Sequence, residues 1–269
     1  MWKVDPQHRL GGGYTPSVLA SAFLGVVIVG GSAAPARAGI SFVDMFRCDS
    51  FSQTGNGNSL TTRGSFLSLR LASTGTNDYD TVQMICHGPK SPASLARVNP
   101  THFRYQTGFY PSQFAMDTDF PIGTYRFTAT GVSGTDTTDF DYFADGYPVG
   151  LPHLTGSNYT DLQGMNARVA FTFQFSLHTP HPLADEGFVF FTIFDYTANA
   201  IVFDAGFQPF TTTSLTLPAN TLLPGRQYAY ELIYSDRVIV PSPGAEFDAQ
   251  IGFDVRTMGA FTTAIVPKR

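Results

Sequence analysis

Four aspartates crowd one stretch of the chain: Asp136, Asp139, Asp141 and Asp145, the last followed by Gly146. Clustered carboxylate oxygens are the ligands that Ca²⁺ takes, so this stretch is the candidate calcium site. It does not follow the D-x-[DN]-x-[DN]-G spacing of an EF-hand loop. The competing reading is a solvated acidic linker that binds no cofactor. His178 and His181 are three apart, with Asp185 and Glu186 close behind. Zinc requires three or four ligands in fixed geometry. Pro180 and Pro182 make the segment a rigid turn, so an exposed hairpin loop is expected instead.

Nucleophilic and acid–base chemistry find little support. Gly131-Val132-Ser133-Gly134-Thr135 lacks the second glycine of G-x-S-x-G. Glycoside hydrolysis requires two facing carboxylates. Of the three glutamates, Glu231 falls on the outward parity of a strand, Glu186 in a loop and Glu246 in a turn. A sugar-binding platform would need exposed rings. The single tryptophan is Trp2, and Tyr79, Tyr105, Phe109 and Tyr110 lie near expected loops. Those rings either stack on a sugar or fill a core.

The compartment follows from the N-terminus. Lys3 and Arg9 precede an apolar run from Val18 to Val29, and small residues then lead to Ala36-Arg37-Ala38. A basic start, a short apolar middle and an A-x-A end form a secretory signal, with cleavage expected after Ala38. The apolar run is well short of the roughly 20 residues that span a bilayer, so no stable membrane span is expected after cleavage. The product would be exported: extracellular, at the cell surface or periplasmic. Removing residues 1–38 leaves 13 basic and 20 acidic residues. Without clustered Lys and Arg, nucleic acid is a poor partner; an extracellular protein or a glycan suits the composition better.

Export also sets the chemistry of Cys48 and Cys86, the two cysteines. An oxidising compartment lets a disulfide persist. Each cysteine falls on the apolar parity of an expected strand, as in Ile40, Phe42, Phe46, Cys48 and in Val82, Met84, Cys86. A Cys48–Cys86 bridge is expected, against two buried free thiols that pack as small apolar residues.

The elements that would carry these groups are strands. Aromatic and β-branched residues dominate, and only Lys90 and Lys268 remain as lysines beyond the signal. Such residues suit a pleated, half-buried surface. Val169, Phe171, Phe173, Phe175 and Leu177 alternate with Ala170, Thr172, Gln174 and Ser176, the period of a strand with one buried face. Residues 188–194, FVFFTIF, are apolar on both parities and read as a central strand. Tyr228, Tyr230, Leu232 and Tyr234 share a face, as do Phe247, Ala249, Ile251, Phe253 and Val255. In the first half, Leu67, Leu69 and Leu71 alternate with Ser68 and Arg70. Residues 112–119, SQFAMDTD, read as one short helical turn. Residues 132–147 are rich in Gly, Asp, Thr and Ser and read as a linker. The expected division is a signal over 1–38, a β-sandwich over 39–131, the linker over 132–147 and a second sandwich over 148–266.

The segment Leu222-Leu223-Pro224-Gly225-Arg226-Gln227-Tyr228 resembles the L-x-P-G-x-x-Y entry to the F strand of fibronectin type III domains, through Leu222, Pro224, Gly225 and Tyr228. The resemblance implies an immunoglobulin/fibronectin III-like sandwich with a tyrosine corner, in which the Tyr228 hydroxyl bonds back to the chain that turns between sheets. Phe171, Phe173 and Phe175 stand where such domains carry a Trp on strand B. The chain from 39 on also resembles a group of exported bacterial β-sandwich proteins, through Phe120, Pro121, Gly123 and Tyr125, then Tyr147-Pro148, Pro152 and Leu154-Thr155. Similar proteins often end in an apolar sorting tail; this sequence ends Val266-Pro267-Lys268-Arg269, so anchoring by that route is not expected. No activity follows from this likeness. The combined expectation is an exported, non-catalytic structural or ligand-binding scaffold. The alternative is a secreted hydrolase or accessory module acting on polysaccharide.

Overall fold

The computed structural model describes residues 39–76, 78–132, 134–242 and 245–265. The expected signal, 1–38, lies outside the described residues. The strands of the first half are β1 (Ile40–Gln53), β2 (Leu60–Ser73), β3 (Thr81–Ile85), β4 (Ala93–Asn99), β5 (His102–Gln106), β6 (Gly123–Gly131) and β7 (Gly134–Tyr142). Those of the second are β8 (Phe171–Gln174), β9 (Glu186–Asp195), β10 (Ala200–Asp204), β11 (Gln208–Pro209), β12 (Ser214–Leu217), β13 (Gln227–Val240) and β14 (Ala249–Thr262). Among the described residues two short helices, α1 (Gln113–Asp119) and α2 (Asn158–Leu162), complete the set. The fold is all-β. The expected helical turn is α1, opened by the Ser112 hydroxyl, which accepts the Ala115 N–H.

One continuous sheet runs in the order β10-β9-β13-β14-β1-β2-β5-β4-β3-β6-β7, with β11 also on β9. β1, the first described strand, lies parallel to β14, the last, with Met45 opposite Ile251. The chain's two halves therefore meet at the middle of the sheet. β8 and β12 pair separately.

Two apolar cores form, each between facing layers, the arrangement of a sandwich. The first joins Met45, Leu69, Phe103 and Phe253 to Tyr125, Phe127, Phe140 and Tyr142. Tyr142 of β7 meets Phe253 of β14 across it at 6.2 Å between ring centres. The second joins Phe173 and Phe175 to Val189, Phe191, Tyr230 and Leu232. There Phe173 of β8 meets Phe191 of β9 at 4.5 Å.

β13 and β14 serve both cores. Tyr228, Tyr230, Leu232 and Tyr234 enter the second core, whereas Val238 and Val240, on the same parity of β13, enter the first. On β14, Ile251 and Phe253 enter the first core and Phe261 the second. Because side chains alternate along a strand, both cores lie on one face of the central strands. The odd positions of β13 and the even positions of β14, β1 and, from Gly64 on, β2 form the opposite face, and a bulge at Arg63 turns that odd-numbered residue onto it as well.

Three expectations differ from these findings. Residues 134–142, expected within the linker, form β7, an edge strand whose Thr138, Phe140 and Tyr142 point inward; the intervening aspartates and threonines hide that alternation. Residues 238–253, expected to belong wholly with the second half, contribute Val238, Val240, Ala249, Ile251 and Phe253 to the first core. The alternation over 169–177 yields only the four-residue β8, because Val169 and Leu177, each 58% exposed, pass beyond its partner β12.

Candidate functional site

The face opposite the cores carries a polar–aromatic lattice spread over β13, β14, β1, β2 and β5. Its centre is a row in register: Arg237 stands opposite Gly252, Gly252 opposite Phe46, and Phe46 opposite Ser68. The missing side chain at Gly252 makes room for its neighbours. A Cβ there would lie 1.9 Å from Arg237 Nη1 and 2.5 Å from the Phe46 ring. The Arg237 guanidinium reaches within 4.1 Å of the Phe46 ring centre, and that of Arg70 within 4.6 Å. Arg70 Nε donates to both oxygens of the fully buried Asp44 at 2.9 Å. Burial pushes the Asp44 carboxyl above its ordinary range, against the pull of Arg70 and Arg237.

The lattice continues along the strands. Arg256 lies 4.3 Å from the Phe66 ring centre and donates to Glu231 at 2.8 Å. Asp254 accepts the Ser235 hydroxyl at 2.5 Å and faces Arg237 Nη1 at 3.5 Å. Arg63 and Arg104 complete a set of five arginines. Arg63 donates to Met258 Sδ and lies 5.7 Å from the Phe109 ring centre, while Arg104 donates to Ser68 Oγ and Gln106 Oε1. Neither meets a carboxylate among the described residues. Burial holds both guanidiniums below their ordinary value; Arg256 adds to this at Arg63, and Arg70 and Arg256 at Arg104. The Arg70 side chain is 37% exposed, and Phe109 and Tyr196 are 39% and 42% exposed. The face therefore offers guanidinium and ring surfaces to solvent.

A second charged node lies inside the first core. Arg47 is fully buried, donates to the Phe120 carbonyl at 3.1 Å and to Asp117, and lies 4.6 Å from the Tyr142 ring centre. Asp145, one of the calcium candidates, stands 3.8 Å from Arg47 Nε and accepts from Tyr142 and Gln113. The other three are dispersed along β7. Asp136 accepts the Tyr79 hydroxyl, Asp139 the Arg126 guanidinium and Asp141 the Thr124 hydroxyl. Among the described residues no three His, Cys, Asp or Glu side chains gather where one metal ion could bind them.

His178 corrects an expectation. Instead of an exposed loop residue it is buried, with Nε2 2.8 Å from Asp236 Oδ1 and its ring stacked on Tyr234 at 4.9 Å. Asp236 also accepts the His181 N–H at 2.6 Å. The pair clamps the connection between β8 and β9 onto β13. Gly187 stands opposite Asp236, and its missing side chain leaves room for Pro180 and the His178 ring. Ser176 meets Tyr234 rather than His178. Burial pushes the Tyr234 hydroxyl up to about 12, so it remains a donor.

The expected disulfide is also corrected: Cys48 and Cys86 are both free. β1 is buried on both parities, so the apolar parity did not identify its core face. Val43 and Met45 enter the first core, while Cys48, three residues past Met45, projects from the other side among Arg256, Asp254 and Glu231. Cys86 packs against the first core. The sheet therefore separates the two sulfurs. Burial pushes both thiols above their ordinary value.

At the turn into β13, Tyr228 is 1% exposed and its hydroxyl accepts the Leu223 N–H at 2.8 Å. Leu222 is buried beside it, Pro224 precedes the bend, and Gly225 takes φ +71°, the left-handed region that favours glycine. A counterpart exists in the first half, where the Tyr125 hydroxyl donates to the Pro121 carbonyl at 2.9 Å.

No family model matches the chain, and no curated protein matches it in sequence. Solved structures offer loose likenesses. The FN1–FN3 domains of chicken CNTN1 are similar over 82% of this chain and 67% of theirs, at 10% identity and TM-score 0.26. A Ca²⁺-stabilised adhesin of an ice-binding Antarctic bacterium is similar over 86% of this chain and 50% of its own, at 13% identity and TM-score 0.25. Domains A168–A170 of titin are similar over 80% and 64%, at 11% identity and TM-score 0.22. Likeness at that level carries no argument about this chain.

The sequence alone does not mark the arginine–aromatic face, whose members come from separate strands brought together by register. Of the rings proposed as sugar platforms, Tyr79 is buried, Tyr105 packs against the first core and Tyr110 donates to Asp119. Phe109 alone of the four joins the open face, under Arg63 and edge-on to Phe66.

Proposed function

We propose that this protein is an exported, non-catalytic β scaffold that works outside the cytoplasm by binding an extracellular partner. The expected signal supports export, and no helix among the described residues is long and apolar enough to cross a membrane. The fibronectin III-like reading of the second half is supported by the Leu222–Tyr228 turn.

The observation that carries the non-catalytic reading is the pairing of the outer-face carboxylates. Asp44 and Glu231 are each bound by an arginine, and Asp254 accepts from Ser235 and faces Arg237. A glycosidase requires two carboxyl groups facing across roughly 5–10 Å, with substrate between them. A hollow of about 260 Å³ on the second half, lined by Met165, Val169 and Phe171 among others, offers one carboxylate, Asp161, which accepts the Ser157 hydroxyl. Preformed arginine–carboxylate pairs and stacked rings favour rigid binding over acid–base work, because the ordering entropy is spent at folding.

The test is to incubate residues 39–269 with a panel of neutral and acidic polysaccharides and measure new reducing ends. None are expected. Release that is abolished by substituting a single Asp or Glu would establish the hydrolase alternative instead.

A further inference from the structure

Five arginines on the outer face meet three carboxylate partners, and Glu186 stands at the margin opposite Arg237. Arg63 and Arg104 are left with neutral partners, and Arg237 Nη1 is buried without a hydrogen bond. The chain as a whole carries a formal charge of −5. Five guanidiniums against four carboxylates leave this face slightly cationic on an otherwise acidic protein, which singles it out for an anionic ligand.

The strip is extended. Arg63 and Arg70 lie at the two ends of β2, about 20 Å apart at strand rise, the bulge between Gly64 and Thr62 turning Arg63 onto the face of Arg70, and Arg104 stands beside Arg70 on β5. A charge distribution of that length matches a ligand that repeats its charge. Phe46 and Phe66 lie beneath the guanidiniums of Arg70, Arg237 and Arg256, and Phe109 lies open beside Arg63. Planar guanidinium forks bind carboxylates in two-point fashion, and ring faces accept the apolar face of a sugar. The open surface of Phe109, 39% exposed beside Arg63, therefore suits a chain of acidic sugars better than an acidic peptide, which needs the forks but not the platform.

We propose that the outer face of β14, β1, β2 and β5, bounded by Arg63 and Arg104, binds a linear polysaccharide that carries carboxylate groups. This rests on the scaffold reading and names its ligand class.

The test is isothermal titration of residues 39–269 with polygalacturonate, with dextran as the neutral arm and polyglutamate as the acidic-peptide arm. Saturable binding to polygalacturonate is expected, weakening as salt rises. The Arg63→Gln/Arg104→Gln double variant should weaken it at least tenfold with its melting temperature unchanged. Should that variant fail to fold, Arg63→Gln alone carries the test, since Arg63 donates only to a thioether. The control Arg126→Gln/Arg168→Gln should bind as the parent does. Absence of polygalacturonate binding, equal binding of dextran, or equal or tighter binding of polyglutamate would each overturn the proposal. Reducing ends released from polygalacturonate would instead overturn the scaffold reading, so the two failures are distinct.

Discussion

The guanidinium of Arg237 lies 4.1 Å from the centre of the Phe46 ring, although 191 positions separate the two residues in the chain. Gly252, between them in the sheet, permits the contact because any Cβ would occupy the space of Arg237 Nη1. Gly252→Ala should therefore destabilise the fold by about 1–3 kcal/mol through overpacking. Urea denaturation measures this; a midpoint equal to the parent's would show that the arginine has room to move aside.

Tyr228→Phe removes the hydroxyl that accepts the Leu223 N–H at a part-buried turn. A loss of about 1 kcal/mol is expected, the usual net contribution of one hydrogen bond. Chemical denaturation with an unaltered midpoint would remove the corner from the list of features that stabilise the second core.

Asp195 gives the protein an acid-sensitive contribution. Burial opposes its ionisation, yet the N–H groups of Ala198 and Thr197 and the Arg226 guanidinium hold the carboxyl below its ordinary range. A folded-state value below the unfolded one adds stability that is full above about pH 4 and disappears as pH falls through the folded value. Asp195→Asn should therefore be less stable than the parent at pH 7, with the gap closing towards pH 3. A gap that stays constant with pH would show that the carboxylate charge contributes nothing.

Cys48 and Cys86 should both alkylate in denaturant without reductant, adding two labels by mass. In the folded protein Cys48, which is 2% exposed, should stay unlabelled. A denatured protein that takes no label would restore the bridge.

Much of the strand content was legible because it follows a period of two: the Tyr228–Tyr234 alternation of β13 and the Leu67–Leu71 alternation of β2 both point into cores. The continuation of β13 into the first core was not. Asp236 and Arg237 interrupt the apolar pattern there, and they are tolerated because His178 and Asp254 meet them from distant segments. β7 was hidden for a related reason, since threonine holds one of its inward positions. The outer face was illegible in principle. Its partners, such as Arg70 with Asp44 and Arg256 with Phe66, sit on different strands, and only sheet register brings them together. The Leu222–Tyr228 turn was legible because its hydrogen bond spans five residues and its glycine marks the bend.

One sheet face is packed by both cores, and the opposite face is proposed to bind the polysaccharide. Arginine-specific labelling with phenylglyoxal, read by peptide mass in the presence and absence of polygalacturonate, tests it most directly. Arg63 and Arg104 should be protected by the polymer, while Arg126, whose side chain is 57% exposed on the β6–β7 hairpin, and Arg168 should label as before. Protection of Arg126 and Arg168 to the same degree, or none at Arg63 and Arg104, would contradict it.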